Sequence, residues 1–370
     1  MRITLIIYSL DQSEHMSRIK FTKIAGLLSS RFTLPVGVTL VTVYPLYLLI
    51  LLISSFFTDT TRLGDERPKS TTEGLKIVTT TSLWADLVTA VTCDGLASVK
   101  TLMPSGADPH AYQPSLADRA VLEAADLVVM NGFVEEGLEP MIRSVEQEGT
   151  AVFRTIDHVE TLLLNDHHGQ EGVDPHLWMD PVRVSEVLPK LTKRIIEAGR
   201  LDPASLQVCL DQTQLLLAKL DEEIRIMVTD VPAARRKFVA NHASLGYFAD
   251  RYGLEMIGSV VPSTSTLAAS NPAYLEQLGD RMKASGVSVI LVEAGQASKD
   301  AMALAKHVGD VQVVEVFTAG LPENEPRVMS YVEVLRTNAR LITAALRAQA
   351  DNSEHDDDHG HDSHGGSRDG

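Results

Sequence analysis

From residue 204 to residue 231 neither glycine nor proline interrupts the chain, and Leu206, Leu210, Leu217, Leu220, Ile224 and Val228 recur there at steps of three, four and seven. That is the period of one face of a helix. Asp202-Pro203 opens the stretch with proline where the first helical residue belongs, and Pro232 closes it. At ~1.5 Å per residue such a helix is roughly 40 Å long, about the length of a whole protein body. An element of that length has to lie against two masses, so it predicts a fold of two parts braced by one rod. Asp221, Glu222 and Glu223 are expected on the side away from the apolar stripe.

Short β-branched runs and amphipathic stretches alternate on both sides of the rod. Before it, strands are predicted at 76–81, 98–103, 127–130 and 151–156, with helices starting at Ser82 and spanning 115–125 and 134–147. After it, strands at 237–240, 254–260, 287–292 and 311–317 alternate with helices at 244–252, 272–284, 299–308 and 331–347. This grammar indicates an α/β fold of two lobes, each a mostly parallel sheet flanked by helices, with a cleft between the sheet ends where such folds bind ligands. The implied boundaries are 75–200 for the first lobe, 201–233 for the bracing helix and 234–348 for the second lobe. Residues 157–173 break the pattern and are expected as a mobile loop, and 349–370, rich in His and Asp, as a disordered tail.

Residues 32–58 carry no charge, and 46–53 are as apolar as a membrane core requires. Arg18, Lys20, Lys23 and Arg31 precede this stretch, which matches an exported chain held by an N-terminal signal anchor or made with a cleaved signal peptide. Met16 is an alternative start, no lipobox cysteine follows, and the residues up to 74 read as signal segment plus flexible tether. The formal net charge of −16 argues against a nucleic-acid partner, which clustered Lys and Arg would serve. Cys93 and Cys209 show neither metal nor redox spacing and are expected as free, buried thiols.

Two Asp-Pro-His units, at 108–110 and 174–176, stand on either side of the first lobe's later elements. In each, a histidine follows a proline whose fixed φ and missing N–H suit a short ordered loop, which holds an imidazole on stiff backbone. His242 sits at the end of the second lobe's first strand, where it faces the cleft. His110, His176 and His242 together form a set suited to Zn²⁺ and tolerable for Mn²⁺.

The runs 106–115, 124–132, 174–181 and 241–248 resemble the zinc/manganese group of solute-binding proteins of ABC importers, which includes lipoprotein adhesins. The likeness covers about 75–347 and implies two α/β lobes, one bracing helix and a buried divalent cation, carried as cargo to a membrane permease by an extracytoplasmic monomer. By matching position His110, His176 and His242 are the first three ligands. The group usually supplies a fourth, an aspartate, where this chain has Ala319. Glu293 at a strand end, Glu323, Glu325 or a water are the candidates for that place, with holding a ligand from outside or capping a helix as the alternative for Glu293. His167, His168, His355, His359, His361 and His364 resemble the His-rich tracts of zinc-handling members. Two other readings remain: a surface adhesin with a structural metal, and a zinc hydrolase. The second lacks a His-Glu-x-x-His motif or a Ser/His/Asp set.

Overall fold

A computed structural model describes residues 74–165, 171–294, 299–321 and 329–355. The signal segment and most of the tether, His167, His168, Glu323, Glu325 and the tail histidines beyond 355 lie outside these residues, as does the side chain of His355.

The first lobe runs β1 (Leu75–Thr79), α1 (Ser82–Val91), β2 (Ala97–Thr101), α2 (Leu116–Glu123), β3 (Leu127–Met130), α3 (Glu139–Gln147) and β4 (Val152–Arg154). Its strands are all parallel in the order β2-β1-β3-β4. Every residue of β3 is buried, as a central strand covered on both faces requires. Ser115 and Asp118 close a capping box at the start of α2, satisfying two backbone donors reciprocally. A hairpin of β5 (Leu163–Asn165) and β6 (Glu171–Val173) follows, then α4 (Pro181–Ala198) and the rod α5 (Pro203–Thr229). The second lobe runs β7 (Lys237–Ala240), α6 (Gly246–Tyr252), β8 (Glu255–Ser259), α7 (Pro272–Ser285), β9 (Val289–Glu293), α8 (Lys299–Val308), β10 (Gln312–Val316) and α9 (Tyr331–His355). Its order, β10-β9-β7-β8, is again all parallel. Numbered within each lobe, both sheets read second-first-third-fourth, so each reverses direction beside its first strand. Loops leaving the carboxyl ends of such strands are where α/β sheets place ligands.

All six apolar residues of the α5 stripe are buried, in a core cluster that also holds Ile77 and Leu127 from the first sheet and Phe238 and Leu291 from the second. Asp221 corrects the expectation for the acidic side. It lies four residues after Leu217, hence on the apolar face, and is buried. Arg251 of α6 and Arg225 one turn on both pair with it, at 2.7 and 2.5 Å, which offsets the cost of burying the charge.

Several element ends shift by one or two residues from the sequence reading, and four differences are as follows. The helix expected from residue 134 begins at Glu139, because the fully buried Glu135 carboxylate accepts the Asn131 and Gly132 N–H groups and the Thr80 hydroxyl, which fixes 131–138 as a turn. The expected loop at 157–173 contains the β5–β6 hairpin. The helix expected at 244–252 starts at Gly246, and the last helix continues past 347 to His355.

The expectation of free thiols is overturned: Cys93 and Cys209 form a disulfide with Cα atoms 5.5 Å apart. Cys93 follows the end of α1 at a φ of 58°, which turns it toward α5. The two residues are 116 apart in sequence, so no local spacing announces the pair. No helix among the described residues is long and apolar enough to cross a membrane.

Candidate metal centre

The two Asp-Pro-His turns are built alike. Asp108 Oδ1 accepts the N–H of His110 at 3.0 Å, and Asp174 Oδ1 accepts that of His176 at 3.0 Å. Each aspartate thus closes a tight turn around a proline that has no N–H to compete for it. The second turn is further tied to the first lobe, since Asn131 Nδ2 donates to the Pro175 carbonyl at 2.7 Å. Past His176 a single 3₁₀ turn, Leu177–Met179, leads to Asp180, whose carboxylate accepts the Val182 N–H at 2.8 Å and caps α4. The third histidine, His242, is carried by the segment that leaves β7, where the Asn241 N–H still reaches the Leu291 carbonyl of β9 at 2.7 Å.

These three loops bring His110, His176 and His242 together, with 2%, 1% and 4% of their surfaces exposed. One ring nitrogen from each lies within 4.8 Å of the others. Ring centroids are 5.6 Å apart for His110 and His176, 5.7 Å for His110 and His242, and 5.2 Å for His176 and His242. His110 Nδ1 lies 3.0 Å from Glu136 Oε1, and His176 Nδ1 lies 2.8 Å from Asp174 Oδ1. A carboxylate accepts, so both Nδ1 atoms carry the proton and both Nε2 atoms present lone pairs. Those two Nε2 atoms face each other at 3.4 Å. Two acceptors so placed cannot satisfy one another, whereas a cation between them can. For Zn–N bonds of about 2.0–2.1 Å at a tetrahedral angle the nitrogens stand about 3.3 Å apart.

Electrostatics keep two of the imidazoles in the neutral form a metal needs. Burial pushes His176 and His242 well below the ordinary histidine value, and the neighbouring rings push the same way. Burial raises the Asp174 carboxyl to about 7. It also works against the Glu136 carboxylate, but hydrogen bonding to His110 helps hold that group below its usual value. His242 Nδ1 is buried with no protein hydrogen-bond partner. The rings enclose a cavity of about 10 Å³, completed by Asp108, Pro109, Trp178, Thr318 and Ala319, which is room for one atom-sized occupant.

Glu293 lies outside the three-nitrogen group. Its Oε1 accepts the N–H groups of Thr318 and Ala319 at 2.9 and 3.0 Å, fixing the loop that walls the cavity, while Oε2 is buried without a hydrogen-bond partner. Burial pushes this carboxyl up to about 8. Trp178 joins the same wall by donating its Nε1–H to the Thr318 carbonyl at 2.8 Å.

Sequence reasoning missed both Nδ1 partners. Asp174 stood in the motif, two residues from its histidine, and its position was the available signal. Glu136 lies 26 residues from His110, and nothing in the sequence pattern marks it. Glu136→Gln and Asp174→Asn are each expected to weaken metal binding by about 10- to 100-fold, the usual cost of losing a partner that orients a ligand. Gly246→Ala should act like the latter, because a Cβ there would strike Asp174 Oδ2. Chelator competition with unchanged metal-free thermal midpoints checks all three.

The model of the family described as zinc-uptake complex component A, periplasmic, matches residues 77–345. Manganese-binding lipoprotein MntA of Halalkalibacterium halodurans is 24% identical over 277 residues, covering 74% of this chain and 89% of that protein. High-affinity zinc uptake system protein ZnuA of Bacillus subtilis is 26% identical over 263 residues, covering 67% and 80%. Among solved structures, the periplasmic zinc-binding protein TroA of Treponema pallidum superposes with a TM-score of 0.67 at 25% identity, over 74% of this chain and 99% of that one.

Proposed function

This chain belongs to the family of periplasmic zinc-uptake components, and on that premise we propose that His110, His176 and His242 capture one divalent cation, Zn²⁺ in preference to Mn²⁺, for delivery to the permease of an ABC importer. Members of this family are extracytoplasmic metal-binding components that work with a membrane permease and an ATPase, and the uncharged stretch at 32–58 supports export of this chain and its retention at the membrane. The observation that carries the reading is the pair of Nε2 atoms facing each other at 3.4 Å inside a buried cavity. A cavity of about 10 Å³ suits a bare cation, which favours a binding protein over a hydrolase.

Relatives named for zinc and for manganese match comparably, so the choice of metal rests on the donor set. Neutral imidazoles favour Zn²⁺, while Mn²⁺ prefers carboxylate, carbonyl and water oxygens. The wall position at 319 offers only a methyl group. A water, or Glu293 through its unpartnered Oε2, supplies the fourth donor. Competition titration of Zn²⁺ and Mn²⁺ on protein lacking residues 356–370 is expected to rank zinc tighter. Ala319→Asp should tighten both metals and help manganese proportionally more. Manganese binding tighter than zinc in the unmodified site would overturn the preference.

A further inference from the structure

Between β8 and α7 the chain passes through residues 261–270, where Ser263, Thr264, Ser265, Thr266 and Ser270 put five hydroxyls in ten residues. Its footing is on the second lobe. The Ser263 carbonyl accepts the N–H of Ala243, next to His242, at 3.0 Å, and the Ser265 N–H donates to Ser263 Oγ at 3.0 Å. From there the tip reaches the first lobe. Thr266 Oγ1 donates to Asp108 Oδ2 at 2.6 Å. Asp108 and Glu136 are the two groups that hold His110, one through its backbone N–H and the other through Nδ1. The side chain of Glu136 is 40% exposed, whereas that of Asp174, which does the same for His176, is fully buried. His110 is therefore the histidine whose support lies nearest solvent, and Thr266 ties one half of that support to the second lobe.

We propose that residues 261–270 form a latch, in which Thr266 is a positioning residue that locks Asp108 and so sets how fast a bound cation leaves through His110. This rests on the three-histidine reading of the site. The latch touches none of the ligand nitrogens. It acts by holding the carboxylate that closes the turn under one ring, and such outer partners commonly change metal affinity by about 10- to 100-fold. Because the segment spans from the β7 end to the first lobe, lifting it breaks the Thr266–Asp108 bond and loosens one ligand while His176 keeps its buried partner. A membrane partner that draws this loop away would thereby open the site without separating the lobes.

The test is the rate of zinc release from the full chain, loaded with one equivalent and challenged with excess chromophoric chelator. The slow phase is assigned to the site by its absence in His176→Ala. Thr266→Val, which keeps the shape and removes the hydroxyl, is expected to speed that phase about tenfold, and Ser265→Ala, which leaves the Thr266–Asp108 bond in place, to keep the parent rate. Thr266→Ser, which restores the hydroxyl, should release zinc at the wild-type rate, and the metal-free thermal midpoints of all three variants should match the parent. A Thr266→Val rate equal to the parent, equal acceleration by Val and Ser, or acceleration that merely tracks a lowered midpoint would each overturn the latch while leaving the metal site standing. A parent protein with no His176-dependent slow phase would overturn the site and the latch together.

Discussion

Replacing His176 with alanine is expected to weaken zinc binding by more than about 100-fold, beyond the range that loss of an outer partner costs. His176 is the most buried of the three rings, and its Nε2 is one of the two that converge at 3.4 Å. Without it the cavity keeps two nitrogens and gains a void that a solvated ion fills poorly. His110→Ala and His242→Ala should fall in the same class. The measurement is chelator competition on protein lacking residues 356–370, so that the tail histidines do not add sites of their own. A second readout is thermal: a ligand at about 1,000 times its Kd stabilises the folded state by about 4 kcal/mol, so zinc should raise the midpoint of the parent and leave that of the variant where it was. Less than a tenfold loss of affinity in His176→Ala would contradict the assignment.

The largest effect on stability is expected at the disulfide. Cys93 and Cys209 close a loop of 116 residues and fasten the end of α1 to the bracing helix. In the chain-entropy account a loop near that length stabilises the folded state by about 4–5 kcal/mol, and measured values more often fall at about 2–4 kcal/mol. Changing both cysteines to serine should lower the urea midpoint, steepen the transition because the freed denatured chain exposes more surface, and leave the metal stoichiometry at one. Unfolding midpoints that coincide for the parent and the double variant would show that the bond contributes nothing. The bond also accords with an extracytoplasmic protein, since disulfides persist in oxidising compartments. At its other end, α1 reaches the second lobe: Ser82 Oγ accepts the Leu321 N–H at 2.9 Å and Asp86 accepts the Tyr331 N–H at 2.9 Å. α1 is thus held at both ends, to the loop that follows Ala319 and, through the disulfide, to the rod.

Local pattern explains what the sequence made legible. β3 and β7 lie where their short apolar runs place them, and α5 begins and ends within a few residues of the prolines that bound it. The three histidines were legible because the Asp-Pro-His turns and a strand end are local features. What escaped depends on partners far along the chain. Asp221 sits on the apolar face and is tolerated there by Arg251, 30 residues away, which no periodicity reveals. Glu135 folds back onto Asn131 and Gly132 and delays a helix that propensity alone would have started earlier. Glu293 was placed correctly at a strand end, but its direction, toward the amides of Thr318 and Ala319, is set by a loop from the neighbouring strand β10. The disulfide joins two helices whose proximity only the assembled lobe creates.

Anomalous diffraction from crystals of the protein grown with one equivalent of Zn²⁺ tests most directly whether one cation sits between His110, His176 and His242. A single peak at the zinc edge about 2.0–2.1 Å from a ring nitrogen of each of the three histidines is the expected result. A peak that lacks any one of those three nitrogens, or one that lies elsewhere with the cavity empty, would contradict the account.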